Sequence, residues 1–300
     1  MASNKKRGQL LDGKLVANAL KESIKKEVAK MVDHGEEGPH LAAVIVGNDP
    51  ASETYVASKE KAARGVGMVS SVYRYPEDTT EQELMDVIDF LNRDPEITGF
   101  IVQLPLPKHI NEDKIIERIK PSKDVDGFHP VNVGKMAIGQ PGFVSATPAG
   151  IMEILRYYKI DTEGKNCVVL GRSNIVGSPM SILMSKKSNP GNATVTLCHS
   201  KTQNLEEITR QADILITAIG SPQFVKANMV KEGAVVIDVG IHRVEDKSSK
   251  KGYKLVGDVD FDAVKEKASY ITPVPGGVGP MTIASLLNNT LKAYKSEYYG

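Results

Sequence analysis

The sequence contains no tryptophan, only two cysteines, and few aromatic residues, 5% in all. Cys167 and Cys198 each fall inside an apolar run that reads as a strand. Two buried reduced thiols are therefore expected rather than a disulfide, which favours a cytoplasmic setting. Charge of one sign is also missing. The formal net charge is +1, which leaves no global field to draw the chain to nucleic acid or to an anionic membrane. The basic run Lys5-Lys6-Arg7 is short and reads as a solvated tail. No stretch approaches the roughly 18 unbroken apolar residues of a membrane span. No apolar core follows the first lysines, so a secretory signal is not expected. The six histidines are scattered and no paired Cys or His spacing occurs, so no metal site is expected.

What is present is a chain of 300 residues, 41% hydrophobic and 25% charged, which suits two globular domains with a core each. Apolar residues at helical spacing run from Leu15 to Val32, and His34 to Pro39 breaks them. Leu41–Val46 is a continuous apolar run closed by Gly47, the mark of a strand covered on both faces. Ser52–Arg64 reads as a helix with Ser52 as N-cap, Val69–Tyr75 as a strand, and Thr80–Leu91 as a helix with Thr80 and Glu83 placed for a capping box. Gly99–Leu104 is a third strand and Glu112–Ile119 a further helix. The second half repeats this pattern. Pro148–Tyr158 is a helix, Cys167–Leu170 a strand running into Gly171, Ser178–Lys187 a helix, Ala193–Cys198 a strand and Leu205–Arg210 a helix. Ile214–Ile219 and Ala234–Val239 are buried strands closed by glycine, Glu245–Lys254 an exposed hairpin or loop, and the chain is helical again from Met281. Strands alternating with helices predict an α/β fold with parallel sheets. A domain boundary is expected near residues 140 to 148, at Gly139-Gln-Pro-Gly142 and Thr147-Pro148.

Val168 to Gly177 is an apolar strand, a glycine-bearing turn and a helix start. There, free backbone N–H groups and the positive helix end could face a dinucleotide pyrophosphate. Ser173 stands where the usual fingerprint has its middle glycine, so an ordinary strand-to-helix turn remains open. The acid expected about 20 residues on for a ribose hydroxyl is missing, since the next strand ends Cys198-His199-Ser200-Lys201-Thr202. Arg172 sits in the turn itself. An arginine with a hydroxyl and no carboxylate suits a ribose phosphate, hence NADP rather than NAD. His199 and Lys201 are equally well a solvated strand end.

Tyr55 and Lys59 lie four apart on the second helix, so ring and ammonium share a face. Exposed pairs of this kind are also common on ordinary helices. Gln103 stands at the C-terminal end of a buried strand, where open α/β sheets bind ligands. Asp126 belongs to the tight turn Asp124-Val-Asp-Gly-Phe128, whose own reading is an Asx-turn. Thr272-Pro-Val-Pro-Gly-Gly-Val-Gly-Pro-Met-Thr282 holds too many prolines and glycines for helix or strand. It reads as a rigid loop whose backbone can approach a planar ligand, the alternative being a proline-rich linker.

Taken together these residues resemble the bifunctional methylenetetrahydrofolate dehydrogenase/cyclohydrolase family over nearly the whole chain. The likeness rests on Asn48–Ser52 with Tyr55 and Lys59, on Gly99–Pro107, Lys123–Gly127, and Gly171–Gly177 with Pro179 and Met180, and on Pro275–Thr282. The resemblance implies a folate-binding catalytic domain of residues 1–145 plus 281–300, an NADP-binding Rossmann domain of residues 146–280, a cleft between them, and a homodimer formed through the Rossmann domains. It implies NADP-dependent oxidation of methylenetetrahydrofolate to the methenyl form and hydrolysis of that to formyltetrahydrofolate. Lys59 would be the general acid/base of the hydrolysis, Gln103 its orienting partner, and Tyr55 the ring stacked on the aminobenzoyl group. Asp126 would hydrogen-bond the pterin, with Pro275, Gly276 and Gly277 lining the pocket. Arg172 and Ser200 would hold the ribose phosphate and Gly171 and Ser173 the pyrophosphate, while Ile241 would contact the nicotinamide. A lysine ordinarily titrates near pH 10.4, so work as a base near neutrality predicts that Lys59 is desolvated. One departure is plain: Ser145-Ala146-Thr147-Pro148 stands where the family usually carries Pro-Cys-Thr-Pro. A monofunctional NAD(P)-dependent dehydrogenase and a non-catalytic folate-binding protein are the alternatives.

Overall fold

The computed structural model describes residues 7–249 and 252–299; Lys5 and Lys6 of the basic run, and Lys250 and Lys251 of the polar stretch, lie outside the described residues. The elements of the first half are β1 (Gln9–Leu10), α1 (Gly13–Asp33), β2 (His40–Val46), α2 (Pro50–Gly65), β3 (Val69–Tyr75), α3 (Glu81–Arg93), β4 (Gly99–Val102), α4 (Glu112–Arg118) and α5 (Pro130–Ile138). There follow α6 (Ala146–Tyr157), β5 (Asn166–Leu170), α7 (Gly177–Ser185), β6 (Thr194–Cys198), α8 (Leu205–Thr209), β7 (Ile214–Thr217) and a 3-10 turn at Ala227–Met229. The chain closes with β8 (Val235–Asp238), β9 (His242–Glu245), β10 (Tyr253–Val256), α9 (Phe261–Lys265), β11 (Tyr270–Ile271) and α10 (Val278–Tyr294).

The residues form two compact units. One comprises Ala17–Ala146 and the chain from Ile283; the other comprises the chain up to Val16 and Thr147–Thr282. In the first, three parallel strands stand in the order β3-β2-β4. Strand β2 shows why its sequence is apolar without alternation. Leu41, Ala43 and Ile45 pack with Val56 and Ala63 of α2 and Leu286, Leu287 and Leu291 of α10. Ala42, Val44 and Val46 pack on the opposite face with Leu84, Ile88 and Leu91 of α3 and Ile115 of α4. Both faces are covered, as a parallel sheet requires. Helix α3 opens with the expected capping box, Thr80 and Glu83 each bonding the other's backbone. Helix α2 differs from expectation at its start: Asp49, not Ser52, is the N-cap, its carboxylate accepting from Ser52 N at 2.7 Å, with Pro50 in the first turn. Helix α5 has no counterpart in the sequence reading, because Val131, Val133 and Gly134 are poor helix formers. It is opened by His129 as cap and Pro130, and closed by Gly139 in the left-handed region.

The second unit holds a six-stranded parallel sheet in the order β1-β11-β8-β7-β5-β6. Val168, Leu170, Leu215, Val236 and Ile271 share one buried cluster beneath it with Val264 and Ala268. The sequence reading counted the opening residues with the N-terminal domain. Gln9 and Leu10 instead pair with Tyr270 and Ile271 in this sheet. Two residues are too few to leave a periodic signal, so neither strand was visible beforehand. Of the stretch from Glu245 to Lys254, read as an exposed hairpin or loop, Glu245 ends β9 and Tyr253 and Lys254 open β10, and the two strands pair antiparallel. Cys167 and Cys198 are free and buried in neighbouring strands, their register three residues apart, and burial pushes the Cys167 thiol up to about 12. Among the described residues no helix is long and apolar enough to cross a membrane, and no group of three His, Cys, Asp or Glu is placed to hold a metal ion.

Candidate active site

In the first unit the fold brings Lys59, Gln103 and Asp126 together. Lys59 sits in the middle of α2 and is only 7% exposed, which meets the expectation of desolvation. Its ammonium donates to Gln103 Oε1 at 3.1 Å. Gln103 follows β4 directly; its backbone N–H still donates to Val44 O at 2.8 Å, and its Nε2 donates to Leu104 O at 2.7 Å. Both ends of the amide are thereby oriented, and the oxygen faces the ammonium. Tyr55 lies one turn before Lys59 on α2 and is half-exposed, with burial raising its hydroxyl pKa. A flat ring beside a buried cation and an amide is a surface for a planar, polar ligand.

Asp126 is buried, and burial raises its pKa; the nearby Lys59 ammonium pulls it back down, while Asp124 adds to the rise. The Asx-turn read from this segment belongs to Asp124. Its Oδ1 accepts from Gly127 N at 3.1 Å and Phe128 N at 3.2 Å, and its Oδ2 from His129 N and Asn132 Nδ2, both at 2.8 Å. That leaves the two carboxylates with different work: Asp124 holds the turn, and Asp126 lies within the electrostatic reach of Lys59. Gly127 is required there, with φ of +75° and Ser145 N only 2.7 Å from where a Cβ would stand. The departure at Ser145-Ala146 abuts the same turn, since Ala146 N donates to Asp126 O at 3.2 Å and both residues are buried.

The nucleotide candidates lie in the second unit, at the C-terminal edge of the six-stranded sheet. Gly171 N donates to Cys198 O at 2.9 Å, so Arg172 and Ser200 leave adjacent strand ends, β5 and β6, in step; both are exposed. Gly171 has φ of +115°, and a Cβ on it would lie 2.2 Å from Ala218 O, so only glycine lets the turn pass the end of β7. Ser173 ties the turn to the following helix: its Oγ accepts from Val176 N at 3.2 Å and its carbonyl accepts from Ser178 N at 3.0 Å. No side chain caps α7. A tight strand-turn-helix with an uncapped helix start and an arginine beside it fits a dinucleotide phosphate. Ile241 follows β8 and is 46% exposed. Pro275, Gly276 and Gly277 belong to this unit too, in the loop after β11, where Gly276 O accepts from Lys14 N at 3.0 Å.

Sequence reading missed a buried acidic pair at this edge. Asp238, the last residue of β8, accepts from Gly240 N, Asp258 N and Val259 N. Asp258 accepts from Ile219, Gly220 and Ser221 N–H groups and pairs with His242. Asp238 was visible only as the polar end of an apolar run, and Asp258 as one acid among several in Gly257-Asp-Val-Asp260; nothing local joins them.

Among known proteins, two family models match in succession along the chain. Residues 11–126 match the family model described as tetrahydrofolate dehydrogenase/cyclohydrolase, catalytic domain, and residues 145–298 match that of its NAD(P)-binding domain. The bifunctional protein FolD of Bacteroides fragilis is 60% identical over 290 residues, which cover 97% of this chain and 99% of that protein. The crystal structure of the bifunctional FolD methylenetetrahydrofolate dehydrogenase/cyclohydrolase from Campylobacter jejuni aligns with a TM-score of 0.90 at 50% identity, covering 96% of this chain and 99% of that one. The FolD dehydrogenase-cyclohydrolase of Trypanosoma brucei, solved with NADP cofactor and inhibitor, aligns with a TM-score of 0.90 at 40% identity, covering 97% and 98% of the two chains.

Proposed function

The chain belongs to the tetrahydrofolate dehydrogenase/cyclohydrolase family, and from that premise we propose how its residues divide two linked reactions. It is an NADP-dependent methylenetetrahydrofolate dehydrogenase and a methenyltetrahydrofolate cyclohydrolase. The observation that carries the hydrolytic assignment is the buried Lys59 Nζ held on Gln103 Oε1. The methenyl bridge is a delocalised cation, and water must add to its carbon. Lys59, in its amine form, takes a proton from that water as the carbon–oxygen bond forms. It then returns a proton to the ring nitrogen as the carbon–nitrogen bond there breaks, and the hydroxyl proton leaves to solvent, giving the formyl product. Gln103 aims the lysine, Asp126 hydrogen-bonds the pterin, and Tyr55 stacks on the aminobenzoyl ring. Pro275, Gly276 and Gly277 are read as further folate contacts.

NADP supplies the hydride acceptor. Gly171 and Ser173 would hold its pyrophosphate, Arg172 and Ser200 the ribose phosphate, and Ile241 the nicotinamide end, in keeping with the uncapped start of α7 and the missing acid after β6. Folate chemistry is assigned to residues 1–145 and 281–300 and nucleotide binding to residues 146–280, with β1 itself pairing inside the second unit's own sheet. Two buried free thiols support a reducing cytoplasmic setting. Strand β6, at the end of the sheet and paired on one side only, supports a homodimer joined through the second unit. Parallel spectrophotometric assays with methylenetetrahydrofolate test the whole: turnover with NADP exceeds that with NAD, and methenyltetrahydrofolate hydrolyses without nucleotide. Hydrolysis at only the buffer rate would leave a monofunctional dehydrogenase.

A further inference from the structure

Asp258, two residues past β10, has no exposed surface, yet it is a carboxylate packed against the ends of β7 and β8. Oδ2 accepts from Ile219 N at 2.8 Å and Gly220 N at 3.4 Å; Oδ1 accepts from Ser221 N at 3.0 Å and His242 Nε2 at 2.8 Å. A carboxylate can only accept, so Nε2 of His242 carries the proton. Three consecutive backbone N–H groups closing on one buried anion fix the segment after β7, and that segment begins beside Ala218, whose carbonyl bounds the Gly171 turn. Ile241 is pinned from both sides as well. Its preceding residue, Gly240, donates to Asp238 Oδ1 at 3.0 Å, Asp238 accepts from Asp258 N at 2.9 Å, and its following residue is His242 itself. A single cluster thus sets two loops at the edge where the dinucleotide candidates converge.

We propose that Asp258 and His242 are a positioning pair for the nucleotide half-site, holding Ile219–Ser221 and Ile241 in place for NADP. The proposal rests on the assignment of this edge to NADP. Neither residue need touch the cofactor. Losing the imidazole removes a hydrogen bond to a charged acceptor and loosens both loops.

The test uses the full-length protein with His242→Ala and His242→Gln, the second keeping an N–H donor. His242→Ala is expected to raise KM for NADP about tenfold, the loss that follows from one such bond, with nucleotide-free hydrolysis of methenyltetrahydrofolate within twofold of native. His242→Gln recovers most of the NADP affinity. Unchanged KM in His242→Ala overturns the proposal, and so does a parallel fall of both activities, which would mark a merely structural residue. In the native protein, adding NADP slows amide hydrogen exchange at Ile219–Ser221; no change there overturns it without any variant. Failure of the native protein itself to bind NADP would sink the assignment of the edge, a result distinct from any difference between variants.

Discussion

Lys59 and Gln103, 44 residues apart in sequence, meet through one hydrogen bond of 3.1 Å, and this bond aligns a helix face with a strand end. If Lys59 shuttles protons in hydrolysis, Lys59→Met removes the shuttle while keeping most of the buried aliphatic stem. Hydrolysis of methenyltetrahydrofolate is expected to fall about 100-fold or more, the usual worth of a positioned acid/base. NADP-dependent oxidation, which needs no proton from that site, persists. Following both reactions in one preparation decides the matter: hydrolysis at the native rate would remove Lys59 from its role.

The parts of this site that could be read from the sequence are those whose signal is local. The shared helix face of Tyr55 and Lys59 was legible because four residues make one helical turn, and the strand-end position of Gln103 because it ends an apolar run. The parallel strands β2, β4, β5, β7 and β8 were legible as unbroken apolar stretches. Pairings across long sequence distances were not. The two-residue strands β1 and β11 pair across some 260 residues, Asp49 caps α2 from a position read as loop, and the division of labour between Asp124 and Asp126 depends on which carboxylate the turn consumes. The Asp238–Asp258–His242 cluster lay hidden for the same reason: each member has an ordinary local context, and only the tertiary fold makes them neighbours.

Asp124 should matter for stability as much as for the site. It accepts from three backbone N–H groups and from Asn132, and Asn132 Oδ1 in turn accepts from Tyr299 Oη at 2.6 Å and Phe143 N at 3.2 Å. Asp124→Ala leaves buried donors without an acceptor and is expected to cost about 3–5 kcal/mol in urea unfolding. Tyr299→Phe removes one bond at the end of the chain of contacts and should cost about 1 kcal/mol. Equal, small losses in the two variants would mean that the network does not hold the turn.

If Arg172 holds the ribose phosphate as proposed, the choice of cofactor depends on it. No carboxylate follows β6 to bind a ribose hydroxyl, so on this assignment discrimination would fall to the guanidinium beside the Gly171 turn. Arg172→Ala is therefore expected to raise KM for NADP by roughly 10- to 100-fold, the worth of a charged hydrogen bond, and to leave KM for NAD little changed. Steady-state kinetics with both nucleotides measure the ratio; a common rise for the two would assign Arg172 to the shared pyrophosphate instead.

Burial lifts Asp238 from an ordinary carboxylate value near 3.8 to about 6, against the pull of its backbone hydrogen bonds and with the push of the neighbouring Asp258. The sign of the stability effect follows from the direction. Below pH 4 the group is protonated in both folded and unfolded chains and contributes no penalty. Between pH 4 and pH 6 the unfolded chain ionises first, so stability is lost as pH rises, and above pH 6 the full penalty is present. A shift of about two units corresponds to roughly 3 kcal/mol. Asp238→Asn cannot ionise, so the difference in unfolding free energy between native and variant should change by about that amount across the window, whatever the other carboxylates contribute. The amide has its own cost, since its NH₂ must face backbone donors, and this offsets the curve without tilting it. Urea titrations at half-unit pH steps separate the two: a constant difference from pH 4 to pH 7 would show that Asp238 ionises as freely in the fold as out of it.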